Sequence, residues 1–251
     1  MRRLSLVALP NLPLIAPGDD LAALIASAAT AAGEAIQDGD VVVVAQKIVS
    51  KAEGRIVDLG AVEPSAAALE LAARTGKDAR LVELILNESE AVVRAKPGVV
   101  IVAHRRGWVH ANAGIDQSNV QGGDRALLLP ADPDRSAAEL RVALARHTGA
   151  ALAVIISDSF GRAWRLGTVG TAIGASGIAC LKDLRGQPDL FGRRLQATEI
   201  GHADEIAAAA SILMGQADEA CPVVIVRGVS GVPADGRAAD LIRPPREDLF
   251  R

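Results

Sequence analysis

The sequence predicts an α+β protein: mixed, largely antiparallel sheets with helices packed on them, in one large domain or two small lobes. Three observations carry this. Unbroken apolar runs at residues 41–45, 151–156 and 223–226 have strand length and read as buried strands. Ala- and Leu-rich stretches with helical periodicity lie between them. Two apolar runs on either side of Arg105-Arg106-Gly107 form a hairpin pattern, which sets neighbouring strands antiparallel. The spacing is too irregular for a regular βα array, and no internal repeat or clear linker is present.

In chain order, residues 4–9 read as a first strand ending at Leu9 and leading into Pro10, Asn11, Leu12 and Pro13. An Ala-rich helix follows, capped by Asp19 and running to about Ile36. The strand at 41–45 ends in Gln46, Lys47, Ser50 and Lys51. Two readings stand for that segment, phosphate contacts or a solvated surface turn, and composition alone favours the turn. Helices are expected over 65–74 and 78–86, with Gly76 as the C-cap between them. Strands at 92–94, 99–103 and 108–111 lead to the polar segment 112–119. A short strand at 126–129 precedes an amphipathic helix over 134–147, with Leu140, Val142, Leu144 and Ala145 turned inward and Gly149 ending it.

The run at 151–156 is the centre of the pattern. It stops at Ser157-Asp158-Ser159, and a Gly- and Arg-rich loop is expected after it. Beyond lie a polar excursion at 183–192 and an Ala-rich helix over 202–214, with Ile206, Ala210 and Leu213 on one stripe and Gly215 as C-cap. The last strand is 223–226, and a charged arm or tail covers 240–251.

Composition narrows the function. Half of the 251 residues are hydrophobic, so a sizeable core is available. Aromatics are 2% and Tyr is absent, which argues against a base-stacking surface. The 27 basic and 30 acidic residues leave a net charge of −3, without the basic excess that nucleic acid or an anionic membrane attracts. Two cysteines, Cys180 and Cys221, lack metal-ligand spacing and suit buried thiols in a reducing cytoplasm. Pro10, Pro13 and Pro17 interrupt the N-terminal apolar segment, so it reads as a strand rather than a signal peptide, and no stretch is long enough to span a bilayer.

No GxxxxGK[ST] sequence occurs, which excludes a P-loop, and no G-x-S-x-G elbow is present. Gly170, Gly174 and Gly177 are spaced either for a dinucleotide turn or for a small-residue helix packed closely on its neighbours, and the helix is preferred. The four histidines show no ligand spacing. Asp116 sits among three amides and a hydroxyl, where it serves a turn or binds a metal. Asp158 stands at the carboxyl end of a buried strand, where sites of α/β folds collect, or pairs with Arg162 or Arg165.

The segments VVVVAQKIVSKAEGRIVDL (41–59), VELILNES (82–89), HANAGIDQSNV (110–120), IISDSFGRAWRLG (155–167), DLRGQPDLFGRRLQATEI (183–200) and ADEIAAAASILMGQAD (203–218) resemble the F420 gamma-glutamyl ligase family. The resemblance runs almost end to end, including LIRPPREDLFR (241–251). It implies a single ligase domain over residues 1–251, without the flavin-binding domain fused to some bacterial members. The implied activity is a GTP-dependent addition of L-glutamate to the precursor F420-0 through a γ-glutamyl linkage. Mg²⁺ or Mn²⁺ would be required, K⁺ would assist, and the protein would be a homodimer.

Carried over by position, Asp116, Asp158, Ser159 and Gln216 resemble metal ligands, with Asp116 and Asp158 at the reacting centre. Lys51 and Asn119 resemble GTP contacts, joined by Gln46 and Lys47. Leu9, Pro10, Asn11 and Leu12 resemble one nucleotide loop, and Gly215 and Gln216 belong to another. Many members carry Gly-Gln-Thr-Asp where this chain has Gly167-Thr168-Val169-Gly170, which removes an acid near the site. Other readings are a relative that binds nucleotide or deazaflavin without catalysis, and a ligase for another carboxylate.

Overall fold

The computed structural model describes residues 3–120 and 122–249. The chain begins with β1 (Ser5–Ala8), α1 (Leu21–Ala31), β2 (Val41–Ala45), α2 (Gln46–Ala52) and β3 (Ile56–Asp58). Next come α3 (Ala66–Thr75), α4 (Ala79–Asn87), β4 (Ser89–Lys96), β5 (Val99–His104), β6 (Val109–Ala111) and β7 (Arg125–Leu127). The second half contains α5 (Pro133–Thr148), β8 (Ala153–Arg162), β9 (Arg165–Ser176), β10 (Leu181–Asp183), β11 (Glu199–Gly201), α6 (His202–Met214) and β12 (Val223–Arg227).

The main sheet has five strands in the order β1-β12-β2-β8-β9. β2 and β8 run parallel, and the other pairings are antiparallel. Four consecutive valines in β2 are fully buried because helices cover both faces of the sheet. Val42 and Val44 share a core with Ile25 of α1 and Leu140 and Leu144 of α5. Val41 and Val43 pack with Ile206, Ala207 and Ala210 of α6. A third core belongs to the stretch between β3 and β7: Leu71 of α3, Val82 and Ile85 of α4, and Val100 and Val102 of β5. The smaller sheets are β4-β5-β6, β3-β7 and β10-β11. The predicted α+β class, with mixed and mostly antiparallel sheets, is therefore the one observed.

β9 is an edge strand, and two of its N–H groups are taken up by carboxylates. Ala172 N–H donates to Asp204 Oδ1 at 2.9 Å, and Ala175 N–H donates to Asp134 Oδ1 at 2.8 Å. Asp134 also accepts from Ala238 and Ala239, which docks the C-terminal arm on the same edge.

Several expectations change. The loop after Ile156 is absent: β8 continues to Arg162, turns, and returns as β9. Period-two alternation explains it, since Ser157 and Ser159 point to the α6 side while Asp158 and Phe160 point to β6. Of the spaced glycines, Gly170 and Gly174 lie in β9 and Gly177 just past its end, none of them in a helix. A Cβ on Gly170 would strike the Ala207 carbonyl, and one on Gly174 the Pro133 carbonyl, so close packing is their role. Residues 46–51 are helical, not a turn. α1 is capped by Asp20 and ends at Ala31, while Asp19 accepts from Ala16 N–H instead. Val142 is 44% exposed, because the inner face of α5 follows Ala137, Leu140 and Leu144. Leu213 likewise leaves the α6 stripe. Cys180 is buried, but Cys221 is half-exposed.

Candidate active site

The carboxyl ends of β1, β2 and β8 lie on one edge of the main sheet, together with the start of β12. Sites of α/β sheets collect at such strand ends. Leu9, fully buried just past β1, donates its N–H to Val223 O at 2.9 Å, and Ala45 at the end of β2 donates to Pro222 O at 2.8 Å. Pro10 and Asn11 are exposed beside them, with Asn11 in the left-handed region (φ 61°), and Leu12 packs against the first core.

α2 starts directly from β2. Gln46 and Ser50 are buried and bond to one another, Ser50 Oγ donating to Gln46 Oε1 at 2.9 Å. That inner pair leaves Lys47 and Lys51, one turn apart, on the outer face. Lys47 Nζ lies 2.7 Å from Asp116 Oδ2 and donates to Ser118 Oγ at 2.7 Å. Lys51 Nζ donates to Asn119 O at 2.8 Å. Burial, with the neighbouring Lys47 charge, holds the Lys51 ammonium below the usual lysine range.

Asp116 is placed by a tight turn after β6. Asn112, Ala113 and Gly114 all have positive φ, and a Cβ on Gly114 would collide with Leu129. Asp116 then pairs with Leu127 of β7 through two backbone hydrogen bonds, 3.0 and 2.8 Å. Burial pushes its carboxyl up, but Lys47 and the N–H and hydroxyl of Ser118 outweigh this and hold it below the ordinary carboxylate range.

On β8, Asp158 Oδ2 lies 3.2 Å from His110 Nε2, and both side chains are largely buried. His110 Nδ1 accepts the Ala111 N–H at 2.8 Å, so in the neutral ring the proton sits on Nε2 and is donated to Asp158. The ring also stacks on Phe160, centroids 3.8 Å apart. The partner of Asp158 is thus His110 rather than Arg162 or Arg165, which pair across the hairpin tip.

Ser159, on the opposite face, donates to Gln216 Oε1 at 2.7 Å. Gly215 (φ 69°) ends α6 and swings Gln216 toward β8, and a Cβ there would meet the Glu219 carboxylate. Asn119 Nδ2 donates to Ala217 O at 3.3 Å, tying the 112–119 turn to the 215–217 turn. Hydrogen bonds and ion pairs therefore link Lys47, Lys51, Asp116 and Asn119 to the turn that carries Gln216, which itself holds Ser159 of β8. Asp116 and Asp158 each hold a separate partner. His110 and Phe160 were missed from sequence, where the only signal was a polar residue in the alternation of Trp108-Val109-His110.

Among the described residues, no three His, Cys, Asp or Glu side chains group closely enough to hold a metal alone. The donors present are hard oxygens: two carboxylates, a hydroxyl and an amide. That set fits Mg²⁺ or Mn²⁺, because Mg²⁺ usually takes one or two carboxylates and completes its shell with water and substrate phosphates.

Lysines, carboxylates and amide oxygens thus gather at the strand ends of the main sheet. The chain belongs to the F420-0:Gamma-glutamyl ligase family, whose model matches residues 10–228. It is 48% identical over 250 residues to a Coenzyme F420:L-glutamate ligase of Methanothermobacter thermautotrophicus, covering 99% of each chain. It is 46% identical to the ligase of that name from Methanocaldococcus jannaschii over 86% of each chain. For the one from Archaeoglobus fulgidus the identity is 45%, over 99% of this chain and 97% of that one.

Proposed function

We propose that the protein joins L-glutamate to F420-0 in coenzyme F420 biosynthesis, driven by GTP through an acyl phosphate. The carrying observation is the linked group of Lys47, Lys51, Asp116 and Asn119, tied through Asn119 and Ala217 to the turn whose Gln216 bonds Ser159. Amide formation from a carboxylate needs an activated acyl group, and phosphoryl transfer to that carboxylate needs positioning and charge neutralisation more than covalent help.

In this reading Lys47 and Lys51 hold phosphate oxygens. Lys51 gains from such a contact, because its partly desolvated ammonium is short of anionic company. Asn119 and the backbone around Leu9, Pro10, Asn11 and Leu12 bound the nucleotide, with Gln46 orienting the start of α2. Asp116, Asp158, Ser159 and Gln216 would hold Mg²⁺ or Mn²⁺, which would supply charge neutralisation to the transferring phosphoryl group. K⁺ enters the proposal through the family resemblance alone. His110 keeps Asp158 aimed.

We also propose a homodimer. Trp164 and Leu166 at the β8–β9 tip and Leu190 and Phe191 in the 184–198 loop are each at least 87% exposed, and large exposed apolar side chains mark association surfaces. No helix among the described residues is long and apolar enough to cross a membrane. The two free thiols suit a reducing cytoplasm.

The test is GDP release that requires F420-0, glutamate and Mn²⁺ together, with mass spectrometry showing a product one glutamyl residue heavier. Asp158→Asn should keep the fold and lose turnover. Wild-type activity in that variant would remove the assignment.

A further inference from the structure

A cavity of about 330 Å³ opens where the β5–β6 turn, the edge of β9, the first turn of α6 and the C-terminal arm meet. This is at the low end of the range for small-molecule sites, roughly 300–1,000 Å³. Trp108, Phe160 and Leu241 supply apolar walls, Thr171 a hydroxyl, and Asp204 and Arg243 opposite charges, with Asp248 also in the lining.

The cavity adjoins the site already described. Phe160 is the ring on which His110 stacks, and Thr171 is the β9 partner of Asp158. Yet none of the candidate nucleotide or metal residues lines it.

Asp204 is the informative group. Its Oδ1 accepts the Ala172 N–H, and no other hydrogen bond to this carboxylate is found among the described residues. Burial pushes its carboxyl up, and the Ala172 N–H offsets only part of that. A carboxylate in this state gains from a cation that replaces lost water. A neutral or purely apolar ligand would leave it uncompensated.

We propose that this cavity receives the amino-acid co-substrate, its ammonium on the second oxygen of Asp204. The inference rests on the ligase reading above and gives it an address for the incoming amine, next to Asp158. The apolar walls flank the nucleophile, and the Asp204 carboxylate favours a co-substrate that carries an ammonium over one that does not.

Asp204→Asn separates the possibilities, because its amide oxygen still accepts the Ala172 N–H while the charge is gone. The KM for glutamate should rise about tenfold to a hundredfold, the size expected for a hydrogen bond to a charged group, with the KM for GTP unchanged. Hydroxylamine, a small neutral nucleophile, needs no ammonium site. Hydroxamate formation from F420-0, GTP and Mn²⁺ should therefore proceed at the wild-type rate in the variant. An unchanged glutamate KM overturns the inference, as does an equal loss of the glutamate and hydroxylamine reactions. Leu241→Trp, which narrows the cavity from the arm, should raise the glutamate KM in the same way, and no effect there also overturns it. Wild-type protein that forms neither the glutamylated product nor hydroxamate would instead remove the ligase reading.

Discussion

His110 and Asp158 meet across two different sheets, with Nε2 3.2 Å from Oδ2. The contact joins the β4-β5-β6 lobe to the centre of the main sheet. His110 cannot easily turn away, since Ala111 N–H fixes one nitrogen and Phe160 fixes the ring plane. An aspartate with such a partner keeps one oxygen committed and one available. With Asp158 as the proposed metal ligand, His110→Ala should raise the Mn²⁺ concentration needed for half-maximal turnover about 10- to 100-fold, the usual effect of removing a partner behind such a ligand. A Mn²⁺ titration of activity checks this, and an unchanged midpoint refutes it.

Lys47 and Asp116 make a pH-dependent contribution to stability. The folded-state carboxyl of Asp116 is held below its ordinary value, so its contribution is present above the unfolded value, about 3.9. It is lost as pH falls through the lower folded value. Lys47→Met should remove most of that effect, making the acid limb of the melting-temperature profile shallower than in wild type. Thermal melts between pH 5 and pH 2 measure it.

Gly174 packs against the start of α5 with no room for a methyl group, whereas Gly161 has open space around its α-carbon. Gly174→Ala should cost about 1–3 kcal/mol, as overpacking does, and Gly161→Ala should be close to neutral. Denaturant midpoints of the two variants decide it.

Arg227 closes the other end of the main sheet. Its guanidinium reaches Asp40, Glu34 and the Ala35 carbonyl, and the Asp40 side chain is 2% exposed. Arg227→Ala leaves that carboxylate buried without its cation and should cost about 3–5 kcal/mol. Arg227→Ala/Asp40→Ala together should recover part of the loss, read by chemical denaturation.

The strands of the sheet centre were legible because their burial on both faces makes Val41 to Val44 and residues 153–156 apolar without interruption. The same signal failed where β8 leaves the core. From Ser157 onward its side chains are chosen by the site, so a strand reads as a loop. In α2, Gln46 and Ser50 satisfy each other in the interior, and that pairing disguises a helix as a polar turn. Asp116 and Asp158 stood out as acids beside turns and strand ends. The link from Lys47 to Asp116 spans 69 positions, so only the folded chain brings it to view. His110 had no motif at all, because its role depends on Phe160 and Asp158 arriving from another sheet.

The carboxylates of Asp204 and Asp134 act at the margin of the sheet as stops. A foreign strand approaching β9 between Ala172 and Ala175 would have to displace both before it found a free N–H. That segment of the sheet is closed to growth by strand addition, which guards a Val- and Ala-rich chain against edge-to-edge aggregation. The projecting tip and loop, in contrast, present side chains rather than free backbone.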